Sequence, residues 1–235
     1  MLFSASTTLA VALGLGLTAA SPIVGARAGG PAIIDGKAFQ LAARGELGPL
    51  DPDNAASNAW VLGLQRISQG VYASVVIPRS RNKTENPTFY FNRTEPDGQQ
   101  TLNIDIPGVY PLVATIGGRD QGTSSEQPSE HMVSFSPGGS GGTPGLYWFY
   151  RSPESIPLLG GGPARDGSWA VCRRSLPLPS GPAEFLQPFY IYEDETTPSG
   201  CVSVDWVVLC ADMIPLKPGD GWNHDKAGDV KCVAQ

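Results

Sequence analysis

The pentapeptide Gly138-Gly139-Ser140-Gly141-Gly142 has the Gly-x-Ser-x-Gly spacing of a hydrolase nucleophile, and Asp205 or Asp220 followed by His224 completes a triad in the matching chain order. A serine of that kind must sit on a sharp turn between a buried strand and a helix. Here Thr143-Pro144-Gly145 and an aromatic run follow, so Ser140 reads as part of a glycine loop and no catalytic residue is assigned. Glu193-Asp194-Glu195, with Asp205, offers the paired carboxylates of a glycoside hydrolase, one of which must hold its proton while the other stays ionised. Three adjacent acids at a strand end read instead as a solvated turn. Asp220, Asn223, Asp225 and Asp229 carry oxygen ligands without the spacing of a calcium loop. His131 and His224 have no metal-ligand spacing to each other or to a cysteine, so neither a metal nor a cofactor is expected.

Aromatic side chains are the better lead. Leu146-Tyr147-Trp148-Phe149-Tyr150 and Phe189-Tyr190-Ile191-Tyr192 concentrate rings that can stack on sugars while Tyr and Trp polar tips bond hydroxyls. Parity places Trp148 with Tyr150, and Tyr190 with Tyr192, on one face of each strand, and these four are the candidate binding residues. The competing reading is that the same faces are core.

The elements that would position these residues are strands. Apolar residues alternate over residues 71–77, 88–92, 101–106 and 202–209, and further strands are expected at 111–116, 132–136, 146–150, 168–173 and 188–192. Residues 58–67 are ambiguous, since Trp60, Val61, Leu64 and Ile67 also suit a short helix. With 29 Gly and 22 Pro in 235 residues, turns are many and helices few. The expected fold is all-β, an antiparallel sandwich or barrel of about ten or more short strands, with a β-trefoil as the alternative.

Residues 9–17 form an uncharged apolar run ending at Thr18-Ala19-Ala20, the pattern of a secretory signal peptide cleaved before Ser21. The expected organisation is a signal peptide at 1–20, a flexible segment at 21–37, one β domain at 38–213, and an irregular tail at 214–235. No later run is long and apolar enough to span a bilayer, so a secreted protein of the extracellular space or cell wall is expected. A net charge of −6 argues against nucleic acid and anionic membranes as partners.

Export agrees with the cysteines. Cys172, Cys201, Cys210 and Cys232 are even in number, which points to two disulfides. The favoured pairing is Cys172 with Cys201 and Cys210 with Cys232, which staples successive segments without crossing. Cys201 and Cys210 would lie about 30 Å apart on one continuous strand, which excludes their direct pairing. Asn82-Lys83-Thr84 and Asn92-Arg93-Thr94 are glycosylation acceptors, and Asn92 has the parity opposite to Phe89 and Phe91.

Three segments, 89–92 (Phe-Tyr-Phe-Asn), 168–172 (Ser-Trp-Ala-Val-Cys) and 198–204 (Pro-Ser-Gly-Cys-Val-Ser-Val), resemble a broad family of uncharacterised small secreted proteins of filamentous fungi. The chain is more distantly similar to phialide-type cell-wall proteins. The resemblance implies a role in the wall rather than catalysis, with cell-wall polysaccharide as the expected partner. A carbohydrate-binding module is the more specific form of this reading, and an unrecognised glycoside hydrolase the alternative.

Overall fold

Period-two alternation does become strand almost throughout. The computed structural model describes residues 31–51, 59–80, 82–93, 100–106, 110–118, 129–137, 143, 145–151, 155–161, 167–220 and 222–235. The expected signal peptide, Ser140 and the rest of its glycine loop lie outside these residues. Among the described residues the strands are β1 (Ile33–Gly36), β2 (Ala38–Arg44), β3 (Trp60–Ser68), β4 (Val71–Pro78), β5 (Phe89–Arg93), β6 (Gln100–Ile104) and β7 (Leu112–Ile116). They continue as β8 (His131–Pro137), β9 (Leu146–Arg151), β10 (Ile156–Gly161), β11 (Ser168–Leu176), β12 (Ala183–Ile191), β13 (Cys201–Ala211) and β14 (Val230–Val233). The one helical element among them is a single 3-10 turn at Lys83–Glu85.

The ambiguity at residues 58–67 resolves to strand. Trp60 and Leu62 enter the core on β3, which forms a hairpin with β4 through a turn at Gly70, whose φ is +72°. A positive φ suits glycine because it has no Cβ to collide with the carbonyl.

The strands pair in the order β1-β14-β13-β11-β12-β8-β4-β3-β2-β5-β6-β7, and further pairings of β13 with β2 and β8 with β7 fold this path back on itself. Strand β2 is a branch point. One edge pairs β13 from Ala38 to Arg44, while the other pairs β5 at Phe39 and β3 at Ala42 and Ala43. The resulting closed, barrel-like sheet leaves few free edges. No threefold repetition occurs in this order, so the all-β expectation holds and the trefoil alternative is set aside. Every pairing is antiparallel except that of β14 with β13, which is parallel at Leu209 and Val233.

Phe39, Phe89, Phe91 and Phe135 are fully buried at the centre, with Phe39 and Phe91 ring centroids 4.9 Å apart. Both disulfides act on β13. Cys172 joins Cys201 at its first residue, across the β11 pairing, and Cys210 near its end joins Cys232 on β14. Closing loops with separations of 29 and 22 residues stabilises by about 3.5 kcal/mol each in the chain-entropy treatment.

The segment expected to be flexible and the tail expected to be irregular each hold a strand. Ile33–Gly36 pairs with Val230–Val233, so the two ends of the domain form strands together. The C-terminal segment also covers the outer face of β5 and β6: Ala227 bridges Asn92, Gly228 N–H donates to Phe91 O, and His224 reaches Asp105. That cover is why Tyr90 is buried although its parity is opposite to Phe89 and Phe91.

Candidate functional site

The hairpin of β9 and β10 branches from the closed sheet, touching β13 at the pair Leu158 and Val207. Alternation along β9 puts Tyr147, Phe149 and Arg151 on one face and Trp148 and Tyr150 on the other. On β10, Gly160 pairs with Tyr147 and Gly161 with Leu146. A Cβ built on Gly160 would lie 2.5 Å from the Phe149 ring, and one on Gly161 2.6 Å from the Tyr147 ring. The rings thus occupy the space that side chains would fill, and the glycines let them lie against the backbone. Gly161 is further required by its φ of +77° and by Gly145 O, which stands where a Cβ would be.

Tyr147, Phe149 and Arg151 form one wall of a cleft of about 310 Å³, and Trp169 of β11 and Asp205 of β13 form another. Trp169 is 7% exposed, and its indole Nε1, itself buried, has no hydrogen-bond partner among the described residues. An unmade hydrogen bond at a buried donor costs on the order of 1–3 kcal/mol, which a ligand oxygen would recover. Asp205 accepts from Arg44 at 2.6 Å and from Arg151 at 2.6–2.8 Å, which holds its carboxylate at the cleft wall. Among the described lining residues it is the one carboxylate, where glycoside hydrolysis uses a pair. What remains is two rings for stacking, one orphan donor, and an anchored carboxylate and guanidinium.

A family model described as a domain of unknown function (DUF7907) matches residues 36–210. The chain belongs to this family. No curated protein and no solved structure matches it. The DUF7907 span holds the whole cleft and both residues of the first disulfide, whereas Cys232, β14 and the segment around Trp222 and His224 lie beyond it.

Within the DUF7907 span, the four aromatic residues expected to bind divide. Tyr190 is 0% and Tyr192 4% exposed, so neither presents a ring to a ligand, which corrects their assignment. The reason is topological: β12 lies between β11 and β8 with both faces covered, so parity does not expose either side. Tyr190 stacks edge-on against Trp169 at 5.3 Å and sits so close to Gly167 that no Cβ fits there. Tyr192 donates to Gly117 O. Trp148 is half-buried and packs against the main core, with Tyr150 at 5.4 Å and 45% exposed. Each face of β9 therefore carries an exposed tyrosine, and it is Tyr147 with Phe149, not Trp148 with Tyr150, that lines the cleft.

The polar candidates are tied elsewhere. Glu195 accepts from Tyr192 N and faces Nε2 of the fully buried His131 at 2.9 Å, while His131 Nδ1 meets Gly118 O at 2.9 Å. Both ring nitrogens thus bridge segments of the fold. His224 finds neither Asp205 nor Asp220 but Asp105, which also accepts from the Tyr90 hydroxyl at 3.0 Å. Burial, and then the Asp105 charge, push the Tyr90 phenol well above its ordinary range. Asp220 accepts from Lys217 N and Asn223 from Asp225 N, both within local turns. Among the described residues one acid and cysteine cluster has ligand-like spacing, Glu130 with Cys172 and Cys201, but both sulfurs are in the disulfide and Glu130 pairs with Arg174.

Trp169 was missed as a site residue because its orphan nitrogen is invisible in sequence. The adjacent glycines at 160 and 161, opposite an aromatic strand, were a usable signal for Tyr147 and Phe149.

Proposed function

We propose that this DUF7907 protein is exported after loss of residues 1–20 and binds a neutral glycan, without hydrolysing it, in the cleft of Tyr147, Phe149 and Trp169. The observation that carries the reading is the unpartnered Trp169 Nε1 beside two rings laid on glycine backbone. Sugar rings offer apolar CH faces to the aromatic faces, and their hydroxyls accept from the indole and donate to Asp205. Two disulfides and the apolar leader support an oxidising, extracellular destination, and glycans on Asn82 and Asn92 would follow from that route. A net charge of −6 favours uncharged over anionic ligands. The similarity of segments 89–92, 168–172 and 198–204 to secreted fungal proteins makes cell-wall polysaccharide the proposed partner.

The test is sedimentation of the purified protein with insoluble chitin, β-glucan and cellulose. Tyr147→Ala should weaken binding roughly tenfold, the upper end of what one stacking ring supplies. Retention of wild-type affinity by both Tyr147→Ala and Phe149→Ala would remove the cleft from the account.

A further inference from the structure

The outer face of β5 and β6 holds a second cleft, of about 430 Å³. Tyr90 and Asn103 form its floor, Tyr110 and Trp222 its aromatic walls, and Asn92 opens directly onto it. The Tyr110 and Trp222 rings stand 6.0 Å apart, and Tyr110 is 68% exposed although it is a large ring with an apolar face. Trp222 Nε1 is buried and has no partner among the described residues. Here too a donor waits for an oxygen.

The two acceptor asparagines differ in their surroundings. Asn82 is exposed just before the 3-10 turn, its Nδ2 donating to Glu85 at 3.0 Å and its Oδ1 accepting from the Thr84 hydroxyl at 2.8 Å. Asn92 is half-buried, and its side-chain amide makes no hydrogen bond among the described residues. Its neighbours on that face are the rings and the orphan indole.

We propose that an N-linked glycan on Asn92 is seated in this cleft, with its first N-acetylhexosamine packed against the exposed Tyr110 ring beside Trp222 and accepting the Trp222 Nε1 hydrogen. The inference rests on the export reading, which supplies the transferase and its lipid-linked donor. In the attachment, Asn92 Nδ2 forms a bond to the anomeric carbon, the bond from that carbon to the lipid diphosphate breaks, and the amide gives one proton to the departing side. A tethered sugar reaches the cleft at an effective concentration in the millimolar range, so weak stacking is enough to hold it. The seated sugar joins β5 to the C-terminal segment, which meets the sheet at the bridge of Asn92 with Ala227. Its own glycan, rather than a free one, is the occupant because Asn92 lines the cleft.

Protein recovered from the medium of a eukaryotic host is treated with an N-glycan-releasing amidase, native and denatured, and each site is followed by glycopeptide mass. Asn92 should be occupied, with release slowed at least about tenfold by the native fold, while Asn82 is released at a similar rate in both states. Tyr110→Ala, which alters an exposed ring, and Trp222→Phe, which deletes only the donor nitrogen and part of the ring, should each remove most of that protection. Equal release at the two sites, or an unoccupied Asn92 on protein that was exported, overturns the cradle and leaves export standing. Retention in the cell with an intact Met1 overturns the export reading, and this proposal with it. Binding of free N,N′-diacetylchitobiose by Asn92→Gln, with Asn92 unoccupied in the wild type, assigns the cleft to a soluble sugar instead.

Discussion

Trp148, a binding candidate by parity, packs against the core, whereas Trp169, which parity did not single out, lines the cleft. Trp148 packs on the main core, so Trp148→Ala should lower stability by about 2–4 kcal/mol, somewhat below the cost of a fully buried aromatic, with little direct effect on ligand. Chemical denaturation checks this. Trp169→Phe keeps most of the packed ring and deletes the orphan Nε1, so it should leave the melting temperature near wild type and weaken glycan binding several-fold. Tyr90 supplies a pH signature. Its phenol ionises less readily in the folded chain than in the unfolded chain, so above about pH 10 the folded state binds more protons and stability falls as pH rises. Below the ordinary phenol range this contribution is fully present. Tyr90→Phe should therefore show a shallower alkaline loss of stability than wild type, measured as denaturant midpoints from pH 8 to 11; identical slopes would mean that the Tyr90 and Asp105 contact has no such effect.

At the scale of elements, strands with one buried face were legible from period two, as with Phe89 and Phe91 on β5 and Val204, Trp206 and Val208 on β13. β3 was ambiguous because its apolar residues fit two periods, and pairing with β4 decided between them. The burial of Tyr190 and Tyr192 was not legible, since alternation tells which residues share a face but not what lies over it. Nor was the contact of His224 with Asp105, 119 positions apart, or the pairing of β1 with β14, because no local pattern encodes such separations. The glycines of β10 give an element-level prediction. Gly161→Ala must place a Cβ against Gly145 O and the Tyr147 ring at φ +77°, so it should cost on the order of 2 kcal/mol or more and weaken binding by displacing Tyr147. Gly181→Ala, at φ +113° with nothing within 4 Å, carries backbone strain alone and should leave binding unchanged. Equal binding losses in both variants would dissociate Tyr147 from the site.

For the whole molecule, β13 links the closed sheet to both disulfides, to the β9 and β10 hairpin, and to the cleft through Asp205. Strand β13 thus carries Asp205 on one wall and, through its pairing with β10, anchors the hairpin that carries the other, and an oxidising environment keeps it stapled. The central claim is that the cleft takes a neutral sugar. It is tested most directly by titrating the purified mature protein with soluble chitin, β-glucan and cellulose oligosaccharides while following tryptophan fluorescence, wild type beside Trp169→Phe and Tyr147→Ala. The account predicts saturable binding of at least one of these neutral oligosaccharides, weakened several-fold in each variant at unchanged melting temperature. No binding to any of them, or equal affinity in all three proteins, would contradict it.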